Sequence, residues 1–237
     1  MLPKIDVPIF TVRLLSEDKP VRFRPFTVKE EKLFLMANQA DDGNTMLETT
    51  KQVLKNCVLD DINIDELPLF DIDYLFLNLR ARSVGESVNL KYKCNNIISD
   101  EQEKRCGNTI EYEVNLLEIL PKFGEGHQNK IQITDDVGFV MKYPSIEIFE
   151  KVNKSSSFEN ILEITIKCID FVYDKENVYY TKDVSDEEMT EFIENLQAKD
   201  LEKVKLFFDT LPKIQKEINF KCSKCGYQEN IVVEGLE

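Results

Sequence analysis

Two pairs of cysteines, each with a glycine behind its second member, constrain this chain more than any other feature. The C-terminal pair lies in Phe220-Lys221-Cys222-Ser223-Lys224-Cys225-Gly226, and the earlier one in Tyr92-Lys93-Cys94, with Cys106-Gly107 following after an insertion. Alternating apolar runs flank both. Val88, Leu90 and Tyr92 lead into the first pair, and Ile110, Tyr112, Val114 and Leu116 lead out. Ile218 and Phe220 precede the second, and Ile231 and Val233 follow it. Strand, cysteine pair with trailing glycine, and returning strand is the pattern of a zinc-knuckle hairpin. Glycine suits the position because a backbone turning around a metal often needs positive φ. Each hairpin offers two thiolates and tetrahedral zinc takes four. Cys94, Cys106, Cys222 and Cys225 are therefore expected to converge on one structural zinc ion, tying the middle of the chain to its end. Four thiolates fill the tetrahedron and leave no position for a reacting water.

The insertion between Cys94 and Cys106 is eleven residues, Asn95 to Arg105, where two are usual. It is polar and can bulge outward, and loop-closure cost grows slowly with length, so the spacing permits chelation. A redox reading of Cys222-x-x-Cys225 competes. Thioredoxin-like motifs open a helix whose dipole lowers the thiol pKa, but here Gly226 to Val233 reads as a strand. No signal peptide is expected: Met1-Leu2-Pro3-Lys4-Ile5-Asp6 has no apolar core or small-residue cleavage site. The six cysteines are then expected as thiols or ligands in a reducing cytosol rather than as disulfides. No apolar run approaches the ~20 residues of a membrane helix. The net charge of −14 argues against nucleic acid, whose binding requires positive charge to displace counterions, and leaves basic protein partners open.

Length allows one large domain or two small ones. Residues 9 to 26 read as a β-hairpin, with Phe10, Val12 and Leu14 going out and Val21 and Phe23 returning. Thr27-Val28-Lys29-Glu30 forms a capping box opening a helix that fades at Asp41-Asp42-Gly43-Asn44. A second box, Thr45-Met46-Leu47-Glu48, opens a helix ending near Cys57. Pro68 suits the first turn of a third helix burying Leu69, Ile72, Leu75, Phe76 and Leu79, with Asp71 and Asp73 near its positive end and Arg80 and Arg82 near its negative end. The first knuckle hairpin follows.

From residue 129 the same order recurs. Ile131 and Ile133 turn into Phe139, Met141 and Tyr143; residues 146 to 152 parallel the first helix; Glu159 to Cys168 parallel the helix ending at Cys57. Tyr173 to Tyr180 reads as an extra hairpin, Ser185-Asp186-Glu187-Glu188 as a third capping box, and Leu201, Val204, Phe208 and Leu211 as the last helical stripe. The fold class expected is α+β, with two similar hairpin–helices–knuckle-hairpin halves from an internal duplication, joined by a zinc-ribbon-like site. The halves are 1–120 and 121–237, packed as one unit, with a hinge at Pro121-Lys122-Phe123-Gly124-Glu125-Gly126. Low identity between the halves leaves chance α+β similarity as the alternative.

Other motifs carry less. His127 reads as an exposed linker histidine. The acidic run Asp60 to Glu66 lacks the central glycine and terminal glutamate of a calcium loop. Phosphate-loop and nucleophile-elbow motifs are absent. Cys57 and Cys168 lie on apolar stripes, as packing residues. No catalytic or cofactor-binding residue is assigned.

Three stretches are familiar together: Arg24-Pro25-Phe26-Thr27-Val28-Lys29-Glu30-Glu31-Lys32, Leu75 to Glu86 (LFLNLRARSVGE), and Met141-Lys142-Tyr143-Pro144-Ser145. With the cysteine hairpins they resemble the baseplate hub subunits, or hub assembly catalysts, of T4-like tailed phages, in order over nearly the whole chain. The departure is the widened Cys94/Cys106 pair, usually a tight Cys-x-x-Cys in such proteins. The resemblance implies a non-enzymatic role in tail assembly in the infected host's cytoplasm, as hub component or assembly chaperone. Its implied partners are hub and tape-measure proteins. The alternative class is a zinc-ribbon adaptor for nucleic acid or another complex, which the charge disfavours. Arg80, Arg82 and Glu86 read either as a partner-facing edge or as a cationic helix end followed by a turn.

Overall fold

Helix α3 (Leu69–Ser83) is the pivot of the molecule, because both of its sides are buried. At 3.6 residues per turn, Ile72, Leu75 and Leu79 form one stripe, and Phe70, Leu77 and Ala81 form another on the opposite side. The first stripe enters a core with Val12, Leu14, Val21, Phe23, Val53, Leu54 and Cys57. Leu77 and Ala81 enter a second core with Val114, Leu116, Ile119 and Ile214. In this computed structural model the described residues are 3, 5–40, 43–99, 104–146, 148 and 158–235. Asp41 and Asp42, where the first helix is expected to fade, and most of the helix parallel at 146 to 152 lie outside them.

The first core is closed by hairpin β1 (Phe10–Arg13) and β2 (Pro20–Phe23) and by α1 (Val28–Ala40) and α2 (Gly43–Cys57). Glu30 closes the start of α1, accepting hydrogen bonds from the Thr27 amide at 2.8 Å and the Thr27 hydroxyl at 2.6 Å. Burial pushes the Glu30 carboxyl up, but hydrogen bonds from Arg24 and Thr27 prevail and hold it at about 2. Helix α2 starts at Gly43, ahead of the expected box at Thr45, so that box lies within the helix.

Asp71 is fully buried. Its oxygens accept the Leu15 amide at 2.6 Å, the Ser16 amide at 3.3 Å and the Ser16 hydroxyl. The carboxylate therefore fastens the turn of the first hairpin to α3. Proximity to the helix dipole, the role read from sequence, is secondary to these bonds.

The remaining core lies under a four-stranded antiparallel sheet in the order β10-β9-β8-β7, made of β7 (Lys130–Gln132), β8 (Gly138–Met141), β9 (Ile169–Tyr173) and β10 (Val178–Tyr180). Ile131, Phe139, Met141 and Ile169 pack from the sheet against α4 (Phe158–Cys168), α5 (Asp186–Glu194) and α6 (Ala198–Asp209). The capping box at Ser185 is complete, with both reciprocal bonds to Glu188. The extra hairpin read from sequence joins β7 and β8 in one sheet through the Phe139–Val172 register. Cys57 and Cys168 are wholly buried in their cores, where burial pushes the thiols up to about 11 and about 12. They remain protonated packing residues.

Candidate metal centre

The two cysteine hairpins are β3 (Ser87–Lys93) with β6 (Thr109–Asn115), and β11 (Gln215–Lys221) with β12 (Gln228–Glu234). In each, alternate residues turn inward as the pattern requires: Val88, Leu90 and Tyr92 on β3, Ile218 and Phe220 on β11. The inner faces meet. Phe220 is buried edge-on against Tyr92, ring centroids 4.5 Å apart, and lies 6.3 Å from the Tyr112 ring. The Tyr92 hydroxyl donates to Glu229 at 3.1 Å, and the Tyr112 hydroxyl accepts the Lys221 amide at 3.2 Å. At their other ends both hairpins rest on α3 and Ile214.

The knuckles share one backbone pattern. The Cys94 amide donates to Asn108 and the Gly107 amide to the Cys94 carbonyl; the Cys222 amide donates to Tyr227 and the Gly226 amide to the Cys222 carbonyl. Both glycines hold positive φ, 66° at Gly107 and 75° at Gly226, where a Cβ would be strained. The widened spacing leaves this geometry intact. The insertion continues the hairpin outward as β4 (Ile97–Ser99) against β5 (Lys104–Arg105), and the Cys106 amide returns to the Asn96 carbonyl at 2.8 Å.

All four sulfurs lie within 4.8 Å of one another. Cys94 Sγ is 3.7 Å from Cys225 Sγ, and Cys106 Sγ is 3.7 Å from Cys222 Sγ. Four thiolates at ~2.3 Å from one zinc ion in a tetrahedron stand about 3.8 Å apart, so the donor set fits that ion. Cys94, Cys106 and Cys222 are buried, and Cys225 is partly covered.

Amides reach the sulfurs from outside, as metal-thiolate sites require. Asn96 Nδ2 donates to Cys225 at 3.6 Å and Asn108 Nδ2 to Cys222 at 3.7 Å. Lys224 Nζ lies 3.3 Å from the Cys106 carbonyl. The thiols differ in acidity. Burial pushes Cys94 up to about 12. It pushes Cys222 the same way, but the backbone amides of Cys225 and Lys224 and the neighbouring thiols bring that group down to about 6. The asparagines were not singled out in the sequence; their positions two beyond Cys94 and Cys106 are the signal that could have found them.

Elsewhere the structure revises the reading. His127 is half-buried rather than an exposed linker residue. Its ring stacks on Phe123 at 4.5 Å and Phe207 at 5.3 Å, near Tyr143. The Thr210 hydroxyl gives its single proton to the Leu206 carbonyl at 2.6 Å, so it accepts from His127 Nδ1–H at 2.7 Å. Nε2 is then the bare nitrogen, buried with no partner, and burial lowers the pKa of the ring. The expected hinge is fastened in the same cluster. The Gly124 amide donates to Thr210 at 2.9 Å, and a Cβ on Gly124 would meet Thr210 at 3.1 Å. Phe123 packs on Phe70 of α3 at 5.7 Å. Arg82 is spent locally, paired with Glu86 and lying 4.7 Å over the Phe10 ring. The helix-end reading of this motif is thus the better one.

Fold and site define a class: an α+β protein whose two cysteine hairpins are stacked around a four-sulfur cluster. Residues 7–237 match the family model described as T4 bacteriophage base plate protein, so the chain belongs to that family. No curated protein and no solved structure matches it. Among the described residues no helix is long and apolar enough to cross a membrane.

Proposed function

We propose that this baseplate protein is a non-enzymatic part of hub assembly, a hub component or assembly chaperone that binds hub and tape-measure proteins. One structural zinc held by Cys94, Cys106, Cys222 and Cys225 keeps it rigid. The observation that carries this reading is the closed four-sulfur cluster within a chain of this family. A four-thiolate zinc has no open position for chemistry. Apparent binding free energies of such sites are ~10 kcal/mol or more, comparable to the stability of a whole domain. The metal would therefore act on the fold, and function would lie on the outer surfaces.

The same reading includes the internal duplication. Its support is the shared knuckle pattern and a second shared bond. The residue after the first hairpin of each half gives its amide to the carbonyl of a cysteine that ends a later helix, Arg24 to Cys57 of α2 at 3.0 Å and Lys142 to Cys168 of α4 at 2.7 Å. Division at residues 1–120 and 121–237 follows that repeat.

Two measurements test the proposal. Metal analysis of the purified chain is expected to find one zinc, lost in Cys222→Ser and Cys225→Ser; metal-free wild type ends the zinc assignment. Affinity capture from infected cells is expected to recover hub or tape-measure proteins, and phage lacking the chain should accumulate tail intermediates. Mature infectious tails made without it would refute the assembly role.

A further inference from the structure

The four-stranded sheet has two edges, and they are treated differently. At β7 the edge is closed: α6 packs beside it and Lys203 Nζ donates to the Gln132 carbonyl at 2.6 Å. At β10 it is open. Val178, Tyr179 and Tyr180 are 51%, 44% and 48% exposed, and among the described residues no strand pairs with their outer side.

The turn determines which peptide groups face outward. The Asp174 amide donates to the Asn177 carbonyl at 3.0 Å, so that pair is hydrogen-bonded. Antiparallel alternation makes Val172–Tyr179 the next bonded pair. The amides and carbonyls of Val178 and Tyr180 consequently point away from the sheet. Beside them the face of the sheet away from the helices carries an aromatic row. Tyr180 contacts Phe171 at 5.6 Å, Phe171 contacts Tyr173 at 6.5 Å, and Lys182 and Lys130 already lie over the Tyr180 and Tyr173 rings at 5.4 and 4.8 Å.

Charge selects the occupant. Along the hairpin and the turn after it, Asp170 to Asp183, four acidic residues stand against two lysines, and α5 follows with five more acids between Asp186 and Glu194 and no base. A second copy of this chain would bring like charge to the edge, which disfavours self-pairing. A cationic strand is attracted, and its lysines or arginines could lie over the tyrosine rings.

We infer that β10 is a strand-addition site for an extended, lysine- or arginine-bearing segment of a partner protein. Backbone bonds to Val178 and Tyr180 would give the affinity, and the acidic surround and exposed tyrosines the preference for cations. The inference rests on the reading of this chain as a protein-binding baseplate part and names the chemistry of one partner.

The test uses the full chain and two peptides of equal charge: a heptapeptide alternating lysine and valine, and its counterpart N-methylated at every backbone amide so that neither of its edges can add to a sheet. Calorimetry is expected to show the first binding at low salt, more weakly at high salt, and the second binding at least about tenfold less tightly. Tyr180→Pro removes the outward amide while keeping the bonds to β9. Proline tolerates the site, since Tyr180 has φ −72° and ψ 135°. This variant should weaken the first peptide about fivefold, whereas Tyr180→Phe leaves its affinity unchanged. Glu176→Lys with Asp183→Lys, both on exposed positions, should weaken it without altering the backbone. No binding, equal binding of both peptides, or wild-type affinity in Tyr180→Pro overturns the site. Capture of hub proteins by Tyr180→Pro at wild-type yield, alongside loss of peptide binding, would locate the hub contact elsewhere and overturn the link to assembly, while leaving the assembly role standing.

Discussion

Replacing Asp71 by alanine should cost the first half of the molecule more than any surface change. The structure supplies the terms. Alanine removes the acceptor of two backbone amides, Leu15 and Ser16, and of the Ser16 hydroxyl. An amide left without its partner costs about 1–3 kcal/mol. The turn is only part-buried, so water recovers some of the loss and the low end applies. Two amides and a hydroxyl then total about 3 kcal/mol, a large share of the 5–15 kcal/mol that holds a typical fold. For a chain of this size that is a fall of roughly 6–12 °C in melting temperature. Asp71→Asn should cost less, because one carbonyl oxygen still accepts and the charge no longer has to be buried; burial already raises this carboxyl's pKa. Ser16→Ala should cost about 1 kcal/mol, and it should add nothing further in the Asp71→Ala background. Thermal and urea melts at neutral pH measure all four variants beside wild type. If Asp71→Ala melts within a degree of wild type, the carboxylate does not fasten the hairpin and the assignment fails.

Two further outcomes follow from packing and ionisation. His127 has a lowered pKa in the fold, so below the unfolded value of about 6.5 the unfolded chain takes up a proton that the folded ring resists. Its contribution is present above that pH and declines as pH falls toward the folded pKa; urea midpoints should drop more steeply between pH 7 and 5 in wild type than in His127→Gln. Parallel curves for the two would show that the ring is not buried as a neutral group. Asp73, raised to about 6 by burial, works in the opposite direction and is common to both proteins. Gly138→Ala would place a Cβ 2.3 Å from the Tyr173 hydroxyl and 2.6 Å from the Ile131 carbonyl. Overpacking of this kind costs about 1–3 kcal/mol, and a variant as stable as wild type in the same melts would contradict the close β8–β9 approach.

What sequence alone determined here is what depends on neighbours along the chain. The inward alternation of Val88, Leu90 and Tyr92, the glycines at positive φ behind Cys106 and Cys225, and the complete capping box at Ser185 are set by local backbone rules. The convergence of four thiols was also legible, because two hairpins that each carry a cysteine pair with a trailing glycine have the pattern of a shared four-ligand site. Tertiary structure decided the rest. Leu77 and Ala81 lie opposite the stripe that periodicity detected, and a helix buried on two sides does not announce its second face. Asp71 looks like a dipole-compensating acid until the Ser16 turn, distant in sequence, arrives to donate to it. His127 sits between glycine and polar residues, and only the approach of Phe123, Tyr143 and Phe207 makes its surroundings apolar. Likewise the Tyr173–Tyr180 hairpin is an isolated ribbon in the sequence, and its second strand becomes the edge of a sheet when β9 finds β8. Patterns of period two or 3.6 report which way a side chain points. They carry no information on which remote segment will meet it, because that depends on burying the most apolar surface at once over the whole chain.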